Sequence, residues 1–214
     1  MKNGWTVIGD RRTNLLIGGV IFFCFWMYLR SYNVYPSLFL PNGEVRLVEV
    51  DSYYHLRHAE AVYNNFPHLL RYDPMSAYPG VERGLNQGFY DIFVAGLSKL
   101  SFGLVSCKTI LLVLSPVLTG LAFCLLGGWL WRSVSPWCGV LFWLTLAAYP
   151  GFLAHVSALG NGDHHSFEVF LTTLLILVLH EALKDKRSYA LTAVAAGLLQ
   201  LLFLSWAGAP LHLF

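Results

Sequence analysis

Charge is what this 214-residue chain has least of. Asp, Glu, Lys and Arg make up 12% of it, against roughly 25% in an ordinary soluble domain. That shortfall excludes a freestanding soluble globular fold. The 14 basic and 12 acidic side chains nearly cancel, leaving +2. No run of like charge exceeds a few residues, so there is no arm for nucleic acid. Cysteine is scarce too. Cys24, Cys107, Cys124 and Cys138 lie in or beside apolar runs. They lack the spacing of a metal site or a disulfide framework and read as packed or lipid-facing side chains. Internal repeats, low-complexity segments and soluble-domain linkers are absent as well.

What remains is apolar. The chain is 56% hydrophobic, with a mean hydropathy of +0.56. The expected class is an all-α polytopic membrane protein. Five runs are read as spans, at 13–29, 110–131, 136–153, 167–183 and 189–206. Each is about 17–22 residues, enough to cross ~30 Å of hydrocarbon. The first has basic flanks in Lys2, Arg11 and Arg12. It is bulky throughout and has no small-residue cleavage site, so it reads as a retained span and not a signal peptide.

The stretch 89–105 is less apolar and carries Asp91 and Lys99. Charge parity decides its placement. With five spans, Lys2, Arg11 and Arg12 share a side with Arg132 and with Lys184, Lys186 and Arg187. That grouping obeys the positive-inside rule, whereas a sixth span would put Arg132 and the later cluster outside. Residues 89–105 are therefore expected as a helix inside a long external loop, 30–108. Tyr28, Tyr32 and Tyr35 then mark the outer interface, and Trp129, Trp131 and Trp137 the inner one. The expected amino terminus is cytoplasmic, in a prokaryotic plasma membrane.

Two polar clusters lie on the outer side under this topology. The first is Glu49-Val50-Asp51, opening an amphipathic helix that Pro67 ends. Asp51 reads as its N-cap, a role worth about 1 kcal/mol. Glu49 and Asp51 together can also present two carboxylates to one hard cation. Tyr72-Asp73-Pro74 and Tyr78-Pro79-Gly80 read as turns. The second cluster is Asp163-His164-His165, after Gly160-Asn161-Gly162 and with Glu168 behind it. Asp163 reads as another cap, and Asp-x-His also sets two ligand-capable groups at one turn. Carboxylate oxygen favours Mg2+ or Mn2+, while imidazole tolerates Mn2+ and Zn2+. Ionisable residues at a span's end are functional candidates because placing them near hydrocarbon is costly. His155 is open at this point. His180 and Glu181 read as interfacial.

The order of these motifs carries a resemblance. The stretch 49–57 (Glu-Val-Asp-Ser-Tyr-Tyr-His-Leu-Arg) follows one span, then come Asp73-Pro74, Tyr78-Pro79-Gly80, Phe89-Tyr90-Asp91 and Asp163-His164-His165 with Glu168. This resembles the amino-terminal part of the catalytic subunit of asparagine-linked oligosaccharyltransferases, in the single-subunit prokaryotic form. The resemblance implies transfer of a glycan from a polyprenyl phosphate or pyrophosphate carrier to Asn of an Asn-x-Ser/Thr acceptor. The implied partners are the lipid-linked donor, an acceptor protein or peptide, and membrane lipid. It implies Asp51 as the catalytic residue, touching both cation and acceptor amide. Asp163 and His165 are further ligands of a divalent cation, Mn2+ or Mg2+, with Glu49 and His164 as possible additions.

Two departures stand out. Residues 155–161 contain no Arg before the second-loop Asp, and Gln87-Gly88 stand where relatives often have Pro-Pro. The chain also lacks the family's later spans, its Trp-Trp-Asp motif and its carboxy-terminal soluble domain, so residues 1–214 alone are expected to be inactive. The chain has no Asn-x-Ser/Thr triplet of its own. The alternatives are another polyprenyl-phosphate-sugar transferase, of O-mannosyl or aminoarabinose type, or a non-catalytic scaffold or transporter fragment. A transporter is expected to break its helices at mid-bilayer, and here Ser115-Pro116 is the main interruption.

Overall fold

The computed structural model describes residues 10–70, 72–73, 75, 82–83, 88–184 and 188–205. Lys2, Pro74, the turn at Tyr78-Pro79-Gly80, Gln87, Lys186, Arg187 and Trp206 lie outside the described residues.

Most of the described residues are helical. Helix α1 (Arg11–Tyr32) and a single turn, α2 (Tyr35–Leu38), lead to α3 (Val50–Asn64). A two-residue antiparallel pairing follows, β1 (Tyr72–Asp73) with β2 (Glu82–Arg83). Then come α4 (Phe89–Leu100), α5 (Cys107–Ser133), α6 (Pro136–Ala148), α7 (Phe152–Val156), α8 (His165–Lys184) and α9 (Tyr189–Ser205). Among the described residues, α1, α5 and α8 are long and apolar enough to cross a membrane, while α6 and α9 are shorter apolar helices. Helix α5 is the hub: α1, α4, α6 and α8 all pack on it, and α9 packs on α8.

The boundaries follow from local chemistry. Ser106 caps α5, its hydroxyl accepting the Thr109 N–H at 3.1 Å. Ser135 caps α6 in the same way, with Pro136 in the first turn. The run 136–153, expected as one continuous helix, is helical only to Ala148 and resumes at Phe152. Pro150 pushes Tyr149 into extended backbone, as the residue before a proline prefers, and Gly151 sits at φ +83°. Helix α4 stops at Leu100, short of the expected 105, where Phe102 and Gly103 both turn to positive φ. At 1.5 Å per residue it is about 18 Å long, too short to cross. Asp51 is not the cap of α3. Glu49 holds that position in extended backbone without a side-chain bond, and Asp51 lies within the first turn.

Close packing of α5 against α1 and α6 rests on small residues facing tryptophans. The indole of Trp143 donates to the Phe123 carbonyl at 2.9 Å and stacks on Phe22 with centroids 5.6 Å apart. A Cβ on Gly127 would lie 1.9 Å from Trp143 Nε1. Gly127→Ala is therefore expected to lower thermal stability in detergent by about 1–3 kcal/mol through overpacking. Gly197→Ala is its control, since nothing lies within 4 Å of a Cβ there. Equal melting temperatures for the two variants would refute this packing.

Candidate functional site

The site is built around the connection between α7 and α8. Residues 157–163 are buried, although the segment is neither helix nor strand. Buried backbone polar groups must find partners, and neighbouring elements supply them here. The Leu159 N–H donates to the Arg30 carbonyl at the end of α1, 2.9 Å away. Gly160 donates to the Leu112 carbonyl at 2.7 Å and accepts from the Val48 N–H at 2.9 Å. The Gly162 N–H donates to Ser52 Oγ of α3 at 2.8 Å, and its carbonyl accepts from Tyr90 Oη of α4 at 3.1 Å. The Ser115 hydroxyl of α5 donates to the Asn161 carbonyl.

One of these bonds depends on a helix defect. The Leu112 carbonyl would normally accept an N–H from residue 116, four positions on, but residue 116 is proline and has none. The vacancy is filled by Gly160. Gly160 itself sits at φ +82°, and a Cβ there would come within 2.6 Å of Leu38 Cδ2. Both the backbone conformation and the space demand glycine.

The clamped loop brings six ionisable side chains together near the amino-terminal ends of α3, α4 and α8. Asp163 Oδ1 is 2.6 Å from His164 Nδ1 and 3.5 Å from His55 Nε2. Asp163 Oδ2 is 3.4 Å from His165 Nε2. Glu168 reaches back one turn, 3.3 Å from His165 Nδ1 and 3.4 Å from His164 Nε2. The other ring nitrogen of His55 meets Asp91 Oδ1 at 2.7 Å. Beyond Asp91, His58 lies between it and Asp73, and Arg57 also pairs with Asp73.

Electrostatics follow from this crowding. Burial pulls the His55 pKa down, but its bonds to Asp163 and Asp91 prevail and lift it to about 9. Burial raises Asp163, yet the bonds and positive field of the surrounding histidines win and hold it well below the usual carboxylate range. Tyr90 is pushed well above its usual value, by burial first and then by Asp91 and Asp163. It therefore stays a hydrogen-bond donor to the loop.

The sequence-marked residues fall in different places. Asp163, His164 and His165 lie together. Asp51 is exposed at the rim, close enough for its charge to act on His165. Glu49 pairs with His155 of α7, so His155 acquires a role that the sequence left open. Helix α8 begins at His165, and Asp163 lies before its cap position, its carboxylate accepting the His164 N–H at 2.6 Å. His55 and Asp91 were not candidates from sequence. The signal available was the four-residue step from Asp51 to His55, which puts both on one face of α3.

Among the described residues, two trios have ligand atoms within 4.8 Å of one another: His55, Asp163 and His164, and His164, His165 and Glu168. Mixed imidazole and carboxylate donors at this spacing fit a divalent cation. Below them, a cavity of about 490 Å3 runs between α5, α7 and α8. Phe123, Leu126, Val156 and Val169 line it, and His165 and Glu168 belong to its wall.

A family sequence description, the amino-terminal region of the oligosaccharyl transferase STT3, matches residues 20–214. The chain belongs to the STT3 oligosaccharyl transferase family. Among curated STT3-type relatives it is 30% identical over 145 residues to dolichyl-phosphooligosaccharide-protein glycotransferase 3 of Archaeoglobus fulgidus, covering 66% of this chain and 16% of that protein. It is 28% identical over 176 residues to the dolichyl-monophosphooligosaccharide–protein glycotransferase AglB of Haloferax volcanii, covering 78% and 16%. The fold is that of the A. fulgidus oligosaccharyltransferase solved with Zn and sulfate, at TM-score 0.78 and 22% identity, covering 90% of this chain and 25% of that one. The same fold appears in the A. fulgidus AglB complex with an inhibitory peptide and a dolichol-phosphate, at TM-score 0.76 and 23% identity, covering 96% and 25%. The chain thus spans about a sixth of its curated STT3 relatives and a quarter of the solved chains. As an STT3-family chain with apolar helices of spanning length, it is an integral membrane protein.

The loop's seat is testable through Ser52. Ser52→Ala leaves a buried Gly162 N–H without an acceptor, at an expected cost of about 1–3 kcal/mol. Thermal unfolding should register that loss, and hydrogen exchange should show faster exchange at Gly162. Unchanged protection of the Gly162 amide would contradict the clamp.

Proposed function

We propose that this chain forms the cation-binding and acceptor-facing part of a membrane transferase. The enzyme would move a glycan from a polyprenyl phosphate carrier, of dolichol type, to the side-chain amide of Asn in Asn-x-Ser/Thr acceptors. One observation carries the reading: the Asp163–His165 cluster shares His165 and Glu168 with the wall of an apolar cavity. A lipid-linked donor needs that combination, polar ligands for its phosphate directly above a path for its hydrocarbon. The STT3 family match and the dolichol-phosphate bound to the A. fulgidus relative support it.

In this reading Asp163 and His165 hold the cation, with Asp51 approaching from the rim and His164 and Glu168 beside them. A divalent cation supplies Lewis acidity that stabilises negative charge on a leaving phosphate. Mn2+ or Mg2+ is the proposed ion. The imidazoles favour Mn2+ of the two, and a relative was solved with Zn. Asp51 is exposed, so an incoming amide N–H can reach its carboxylate. That contact weakens the conjugation that makes an amide nitrogen a poor nucleophile. Glu49 engages His155 and would hold the first loop against α7 beside this rim. The proposed site lies on the extracytoplasmic face, with the amino terminus cytoplasmic and five membrane crossings; the distribution of basic residues supports this topology under the positive-inside rule.

Transfer of a lipid-linked oligosaccharide to a fluorescent Asn-x-Thr peptide, assayed in membranes carrying the protein, tests this. Chelation should abolish transfer and Mn2+ should restore it. Asp163→Ala should lower the rate at least 10–100-fold, the scale of losing a metal's support, and Asp51→Ala should do the same. Transfer that survives chelation and both substitutions would refute the cation and the roles given to Asp51 and Asp163.

A further inference from the structure

The reading above gives the cation to Asp51, Asp163 and His165, and leaves unexplained a buried imidazole aimed at the same place. His55 lies on the second turn of α3, its side chain 12% exposed. Nδ1 is 2.7 Å from Asp91 Oδ1, a carboxylate that is itself 4% exposed. A carboxylate at that distance accepts the Nδ1–H and so fixes both tautomer and ring orientation. Metal-bound histidines are usually held in this way. Asp91 is held in turn, since His58 Nδ1 lies 3.9 Å from its second oxygen and His58 Nε2 lies 3.2 Å from Asp73. Arg57 also closes on Asp73.

The far nitrogen of His55 then points at other ligand-capable atoms. Nε2 is 3.2 Å from His164 Nδ1 and 3.5 Å from Asp163 Oδ1. Two ligands about 2.1 Å from a common cation, set at roughly a right angle or slightly wider, stand about 3.0–3.5 Å apart. Those are the separations found here. A purely structural bridge needs only one partner for Nε2. This one meets two groups that are themselves candidate ligands, and the three atoms lie within 4.8 Å of one another.

We propose that His55 binds the divalent cation directly through Nε2, alongside Asp163, with Asp91 as the carboxylate that orients it. The inference rests on the cation reading of the previous subsection. It adds a ligand from α3 and makes α4 part of the metal site through Asp91. The Nε2 proton leaves to solvent as the cation takes its place, while the Nδ1–H stays with Asp91.

The test uses purified protein in lipid nanodiscs. With Mn2+ bound, electron spin-echo modulation reads directly coupled imidazole nitrogen, and calorimetry reads affinity. His55→Gln should weaken Mn2+ binding 10–100-fold and Asp91→Asn about tenfold, and His55→Gln should reduce the nitrogen modulation. A second variant gives a gain of signal. His55→Cys loaded with Co2+ should show thiolate-to-cobalt charge-transfer absorption that the unsubstituted protein lacks, since its own four cysteines lie in helices α1, α5 and α6, outside the cluster, and are not ligands. Asp163→Ala separates this inference from the reading beneath it. Loss of binding there, with affinity and modulation unchanged in His55→Gln and no thiolate band in His55→Cys, would overturn His55 as a ligand and leave the cation site standing. Full binding in Asp163→Ala would overturn both.

Discussion

The fold depends on one constraint: an irregular backbone segment must be buried at the mouth of a helix bundle with each of its N–H groups bonded. Residues 157–163 achieve this by borrowing partners from four helices. The α1 terminus gives a carbonyl, α3 a serine hydroxyl, α4 a tyrosine, and α5 both a serine and an orphaned carbonyl. Away from water an unmet amide is costly, so these bonds are less a source of net stability than a condition of the loop being there at all. Once met, they fix Asp163 and the start of α8, and with them the whole charged cluster.

The cluster shows how charge is tolerated near hydrocarbon. Asp163 and Glu168 are both buried, a placement that is prohibitive for isolated carboxylates. Each is surrounded by imidazoles, and His55 is surrounded by carboxylates. The result is an alternation of sign across α3, α4 and α8. Beneath it the side chains turn apolar within one helical turn, at Phe167, Val169 and Leu171. A steep polarity boundary of this kind suits a ligand with a charged head and a hydrocarbon tail.

Much of this was legible in the sequence. The absence of charge gave the class, and apolar run lengths found α1, α5 and α8 nearly to their ends. Helix α3 was readable from its amphipathic pattern and Pro67. The Asp163–His165 cluster was visible because it interrupts apolar sequence. His55 and Asp91 were harder. A histidine within an amphipathic helix looks like an ordinary surface residue, and Asp91 looks like a first-turn acid. Their meaning depends on α3 packing against α4 and on both reaching a loop about 70–110 residues away in sequence, a relation that no local period encodes. The break after Ala148 was legible in principle, since Tyr149-Pro150-Gly151 is a breaker signal. Hydrophobicity alone carried the expected span across it.

Pro116 has a consequence for how this region can be exchanged between proteins. The loop's seat is written partly in α5, where a missing N–H leaves the Leu112 carbonyl to be claimed by Gly160. The transplantable unit is therefore not the stretch that connects α7 to α8, but that stretch together with residues 112–116 of another helix. A chimaera that carries the loop into a host span without this proline carries the polar residues without their socket. Comparisons among relatives are best made by tracking the two segments as one inherited module.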